Sequence, residues 1–136
     1  ALAVFLPIVS DMSGCSGNQA VAVSVRELTL GILRQGDYLR VVAKEAMVGV
    51  LNGLALGLVL GIVAFLWKHD LALSFVVGTA LAINTLVSVT LGGIIPLALR
   101  RFGADPALAS SPILTTCTDM CGFLLVLGIA TVVLSV

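Results

Sequence analysis

Charge is what this sequence has least of. Lysine, arginine, aspartate and glutamate together make up 10% of its 136 residues, where ordinary soluble domains carry about 25%. So small a supply cannot clothe a soluble globule, which needs a polar skin over its core. The seven basic and seven acidic residues cancel to zero net charge, leaving no basic field for nucleic acid and no acidic tail. Cysteine is sparse as well. Cys15, Cys117 and Cys121 are odd in number and fall in or beside apolar segments, which argues against a disulfide framework, and no cysteine–histidine spacing forms a zinc site. Cys117 and Cys121 share a helical face without further soft ligands and read as small apolar fillers. The one histidine, His69, sits in a Lys-His-Asp turn and reads as a solvated loop residue, since it lacks partner ligands. The chain opens on Ala-Leu-Ala-Val-Phe without Met or a positive n-region, so that stretch is no signal peptide. We expect natural sequence to precede it.

What the chain does have is apolar length. Apolar residues make up 60% of it, and the mean hydropathy is +1.21. Four stretches follow one another: Ala1 to about Val25, Met47 to Trp67, Leu71 to Leu99, and Pro112 to Val136. Only helices satisfy their own backbone in lipid over such lengths, at ~20 residues per span. The expected fold is therefore an all-α membrane protein with four transmembrane helices. The first of these is expected to be broken, because Pro7, Gly14 and Gly17 weaken it and the string Ser10 to Gln19 is polar. Arg26 to Ala46 mixes apolar and charged residues around Gly31 and Gly36, as short interfacial pieces with solvated charges would. Arg26, Arg34, Arg40 and Lys44 in that first connection and Arg100 and Arg101 in the third leave only Lys68 in the second. The positive-inside rule then makes 26–46 and 100–111 cytoplasmic and puts both chain ends outside. If the parent protein starts in the cytoplasm, an odd number of helices precedes residue 1, most simply one. Trp67 suits an interfacial position at the outer face.

Asp119 is the most informative residue. It lies within Thr115-Thr116-Cys117-Thr118-Asp119-Met120-Cys121-Gly122-Phe123, about 10 Å along a helix that starts near Pro112. A carboxylate at depth costs several kcal/mol unless hydrated, paired or neutralised, so it should face a pore or a partner. Helical spacing gathers Thr115, Asp119 and Gly122 on one face, flanked by Thr116 and Thr118. In the first span, Asp11, Asn18 and Gln19 add further oxygens, of the kind that ion pathways use. Carboxylate, amide and hydroxyl oxygens are hard ligands that favour magnesium, calcium or manganese over zinc or copper. One acid per chain cannot build a dehydrated six-oxygen site, but it can hold hydrated magnesium through its water shell, the more so if a twofold dimer brings two together. Gly49, Gly53, Gly57 and Gly61 recur every fourth residue, a small-xxx-small face for close helix packing. Asn52 and Asn84 suit hydrogen bonds across helices.

The run Asp105-Pro106-Ala107-Leu108-Ala109-Ser110-Ser111-Pro112, followed by Thr115-Thr116-Cys117-Thr118-Asp119 and Gly122-Phe123, resembles the DPALASGP…TT.TD..GF run of the MgtE family of magnesium transporters, which are related to a eukaryotic solute-carrier family. Gly14-Cys15-Ser16-Gly17-Asn18-Gln19 resembles that family's G-N-x-G-x-Q element, with Cys15 where the element has Asn and with Asp11 replacing what is usually a small residue. The resemblance covers essentially the whole chain, as helices two to five of a five-helix membrane domain. It implies a homodimer in the lipid bilayer, with a pore at the twofold interface lined by the first and last helices here. By the same resemblance Asp119 binds hydrated Mg2+, the transported and bound ion, and Asp105 matches an acid of the inner-mouth metal sites. Thr115, Thr116, Asn18 and Gln19 would then contact the ion's water, with Asp11 and Gly122 also lining the pore. Residues 1–136 would be a transmembrane cation-pathway domain of an inner (plasma) membrane protein, separated from the upstream first helix and from cytoplasmic regulatory domains.

Two other classes can be set beside this one. A non-conducting assembly subunit would use the glycine face for packing and Asp119 as a polar latch. An intramembrane aspartyl protease would pair Asp11 with Asp119, but the Gly-x-Gly-Asp context is missing, so no enzyme is expected.

Overall fold

In the computed structural model, which describes residues 1–34 and 36–135, the chain is four helices in sequence: α1 (Leu2–Thr29), α2 (Tyr38–Lys68), α3 (Leu71–Arg101) and α4 (Pro106–Leu134). Three of them, α2, α3 and α4, are long and apolar enough to cross a membrane. At 28 residues, α1 is of similar length but carries the polar string. Val136, assigned above to the fourth span, and Gln35 in the first connection lie outside the described residues.

The first span is not broken. It runs as one helix with Pro7 inside it, and the residues expected to interrupt it serve the fold in other ways. Gly17 is buried where a Cβ would strike the side chain and backbone of Ser88, so its lack of a side chain lets α1 approach α3. Ser13 returns its hydroxyl to the Val9 carbonyl at 2.6 Å, a bond that helix geometry allows. Pro7 removes one hydrogen bond near the helix start, which one end of a 28-residue helix tolerates. The first connection also differs from expectation. Helix covers most of 26–46, and only residues 30–37 separate α1 from α2. Gly31, with φ of 74°, takes the left-handed conformation just past the end of α1. α4 begins earlier than expected, at Pro106 rather than near Pro112. Asp105 caps it by accepting from the Ala107 amide at 2.9 Å, and proline suits the first helical position. Asp70 caps α3 in the same way. His69 ends α2 in the left-handed region, with φ of 53°.

α3 is the central column and packs on all three other helices. Its contact with α2 is set by glycine. The Cβ that Gly53 lacks would sit 2.5 Å from the Ala82 carbonyl oxygen, and that of Gly57 2.6 Å from the Gly78 carbonyl oxygen. Gly49 lies against Leu86 in the same register, while a Cβ on Gly61 would make only ordinary contacts, at 3.5 Å from Ser74. The two helices are thus antiparallel, with their backbones nearly touching. α3 thus fills most of this face inside the chain. Phe5, Val9, Leu60, Ala64, Leu81 and Val126 belong to the main apolar core, which all four helices share. Arg26, Arg40, Lys44, Arg100 and Arg101 belong to helix ends that share one end of the bundle. There Arg100 donates to the Leu28 carbonyl at 2.8 Å and Lys44 pairs with Glu27 at 2.8 Å.

Candidate functional site

The antiparallel contact of α1 with α4 leaves a polar cleft of about 330 Å³, lined by Pro7, Ser10, Asp11, Gly14, Cys15, Asn18, Thr115, Asp119 and Phe123. Asp119 is the fourteenth residue of its 29-residue helix, about 20 Å from either end. This is about twice the depth that a helix starting near Pro112 would give. The Ser10 hydroxyl donates to its Oδ1, and about two turns further along, Ser111 donates to Asn18 Oδ1 at 2.7 Å. These two bonds tie α1 to α4 on either side of the cleft. Gly14 forms part of the cleft wall, with nothing within 4 Å of the position a Cβ would take. On the open side, Asp11, Cys15 and Thr115 are exposed.

Behind Asp119 lies a fully buried knot. Asn84 of α3 donates to Ser13 at 2.6 Å and to the Thr118 carbonyl at 3.3 Å, and Ser88 and Thr118 share a hydrogen bond of 3.1 Å. Asn84 therefore joins three helices at the depth of Asp119. Gly122 is part of this packing and does not line the cleft: its missing Cβ would fall 2.8 Å from Asn84 Nδ2. A double-mutant cycle can test the fit. Gly122→Ala and Asn84→Ala should each destabilise by about 1–2 kcal/mol, one by collision and the other by lost hydrogen bonds. The double variant should recover part of that cost, because the new methyl enters the space the amide leaves. Strictly additive shifts in thermal midpoint would refute this packing.

Of the residues singled out from the sequence, the cleft brings together Asp11, Asn18, Thr115 and Asp119. Gln19 is not among them. One residue beyond Asn18, it turns to the other side of α1 and lines a separate cleft with Asn52. Thr116 is exposed and donates to the Pro112 carbonyl at 2.9 Å. Asp105 stands at the end of α4, about 21 Å along the helix from Asp119. Ser10, Ser13 and Ser88 were not singled out. The signal for the first two was their spacing with Gly14 and Gly17 along one helical face. Among the described residues there is no cluster of three His, Cys, Asp or Glu side chains, so a cation here would be held largely through water and neutral oxygens.

The sequence has clear relatives among known proteins. The family model of MgtE, a divalent cation transporter, matches residues 6–129. The chain belongs to the MgtE family. It is 37% identical over 134 residues to the magnesium transporter MgtE of Thermus thermophilus, covering 98% of the chain and 30% of the relative. It is 35% identical over 129 residues to that of Enterococcus faecalis, covering 95% and 28%. To that of Bacillus subtilis it is 34% identical over 131 residues, covering 96% and 29%. The chain thus spans less than a third of the length of the curated relatives it matches. MgtE is a transporter family rather than an enzyme family, and its apolar helices make this member a multi-pass membrane protein.

Proposed function

We propose that residues 1–136 form the cation-pathway domain of a magnesium-type transporter of the plasma membrane, in which hydrated Mg2+ follows the α1–α4 cleft and binds at Asp119. One observation carries this reading. An oxygen-lined cleft with a carboxylate at mid-helix opens on a side where Asp11, Cys15 and Thr115 are exposed. Lipid cannot satisfy such groups, and irregular or polar surface at membrane depth is tolerated where it lines water or meets protein. A second copy about a twofold axis would enclose the cleft and bring two Asp119 carboxylates to one pathway. Magnesium sheds water reluctantly and is held through one or two carboxylates plus its own waters, which matches a site with so few charges. Six waters at about 30 Å³ each fit within the cleft volume. The basic end of the bundle would be cytoplasmic, with Asp105 at the inner mouth. The relatives' greater length leaves room for a preceding helix and for regulatory domains. Close packing of Gly53 and Gly57 on α3 argues against use of the whole glycine face for assembly with another subunit, although Gly57 and Gly61 also border an apolar groove.

Gly14 offers a test that leaves the fold alone. With nothing near its Cβ position, Gly14→Ala should keep the unfolding free energy within ~0.5 kcal/mol of wild type, as substitutions without a clash do. Its methyl would enter the cleft, so Mg2+ flux into proteoliposomes holding the full-length protein should fall severalfold. In the same preparation, Mg2+ should slow labelling of Cys15 by a cationic thiol reagent. Undiminished flux together with Mg2+-independent labelling would move the ion path elsewhere.

A further inference from the structure

Glu45 is the one acidic side chain enclosed by the bundle whose burial the α1–α4 cleft does not explain. It lies in α2, about 10 Å from the helix start, and is 4% exposed. Among the described residues it accepts no hydrogen bond. The Lys44 ammonium reaches it only at 3.8 Å, being engaged with Glu27 at 2.8 Å. A carboxylate buried with so loose a partner carries a desolvation cost that something must offset. Its position is built for it: the Cβ that Gly93 lacks would fall 2.5 Å from Glu45 Cγ, so the glycine lets the glutamate lie flat on α3.

The carboxylate belongs to a cleft of about 210 Å³ between α1, α2 and α3, on the far side of α1 from Asp119. Gln19 and Ser16 of α1 and Asn52 of α2 also line it. Lys44 lines the cleft too, its ammonium drawn 2.8 Å from Glu27 and 3.8 Å from Glu45, so three neutral oxygen donors and one carboxylate face one cation held mainly by another acid. Lys44 and Glu27 offset each other, so the local balance is one negative charge. α1 and α2 meet directly at few points, the Lys44–Glu27 pair and the Phe5–Trp67 rings among them, so an occupant here would add a bridge between them.

We propose that this second cleft is a divalent-cation site, with Glu45 supplying the charge, Gln19, Asn52 and Ser16 the neutral oxygens, and the ion keeping much of its water. The donor set is hard and oxygen-only, which favours magnesium or manganese over softer metals. The site is separate from the proposed pathway and stands or falls without it.

The test uses the full-length protein with Cys15, Cys117 and Cys121 replaced by serine and Val48→Cys as reporter, since Val48 lines the cleft and is partly exposed without donating an oxygen. Magnesium should slow modification of that thiol by a cationic reagent about fivefold or more, as a site filled over four-fifths of the time requires. Glu45→Gln should abolish the protection, and Asn52→Leu should shift it to higher magnesium. Asp119→Asn should leave it intact, which separates this site from the central one. Potassium at equal ionic strength should not protect. The proposal is overturned if magnesium gives no protection, if protection persists in Glu45→Gln, if potassium protects equally, or if Asp119→Asn removes it. An unchanged elution volume and thermal midpoint for Glu45→Gln without magnesium keep the comparison valid. A folding failure there passes the decision to Asn52→Leu, whose unaltered protection would equally overturn the proposal.

Discussion

Asp119→Asn should reduce magnesium flux through the full-length transporter by ten- to hundredfold while leaving the fold intact. Asparagine keeps the size of the side chain, and its carbonyl oxygen can accept the hydrogen bond that Ser10 now donates to Oδ1. What is lost is the negative charge. A divalent ion about 5 Å from a carboxylate is attracted by several kcal/mol at an effective dielectric near 20. Dehydration and screening oppose that attraction. A surviving net of about 1.4–3 kcal/mol corresponds to the stated loss in occupancy of the cleft. Flux into proteoliposomes, with the elution profile as a check on assembly, reads the result directly. Unchanged flux would make Asp119 a packing residue held by Ser10 and would shift the ion path toward Asp11 and Asn18. Absence of flux in folded wild-type protein would instead favour a non-conducting role.

A large effect on stability should come from the α2–α3 contact. Gly53→Ala places a methyl 2.5 Å from the Ala82 carbonyl oxygen, and a backbone atom cannot turn aside as a side chain can. The helices must separate, at a cost of about 2–3 kcal/mol, the upper range for overpacking. Gly61→Ala, two turns along the same face, meets its nearest neighbour at 3.5 Å and should be close to neutral, or slightly stabilising through helix propensity. Thermal melts of the two variants in one detergent check this. Equal midpoints would mean that the helices are not packed as closely as their backbones indicate.

This contrast also shows how far sequence could be read. A four-residue glycine period placed Gly49, Gly53, Gly57 and Gly61 on one face, but period alone cannot grade them, because the splay of the two helices toward Gly61 is a property of the pair. Spans two, three and four were legible from uninterrupted apolar length. α1 was harder, since Gly14 and Gly17 weaken an isolated helix, and only the structure reveals Gly17 as a point of approach to α3 and α4 and Gly14 as a wall of the cleft. The depth of Asp119 was underestimated for a related reason. Pro112 looked like a helix start, whereas the Asp105–Pro106 cap begins the helix six residues earlier. Asp11, Asn18, Thr115 and Asp119 share the cleft because polar residues at i, i+4 and i, i+7 spacing follow one face. Gln19 does not share it, and only the rotation of α1 against α3 and α4 could reveal that. Glu45 was grouped with solvated loop charges, because nothing local marks a glutamate that a glycine on another helix will receive.

The exposure of Asp11, Cys15 and Thr115 has a consequence for how such a pathway can diverge. These three side chains touch no other helix of their own chain through a hydrogen bond among the described residues, so exchanging them leaves the scaffold's free energy nearly unchanged. The knot around Asn84 and the glycine seam have no such latitude. Variation at the mouth of the cleft is thus thermodynamically silent for folding yet open to selection on the permeating ion.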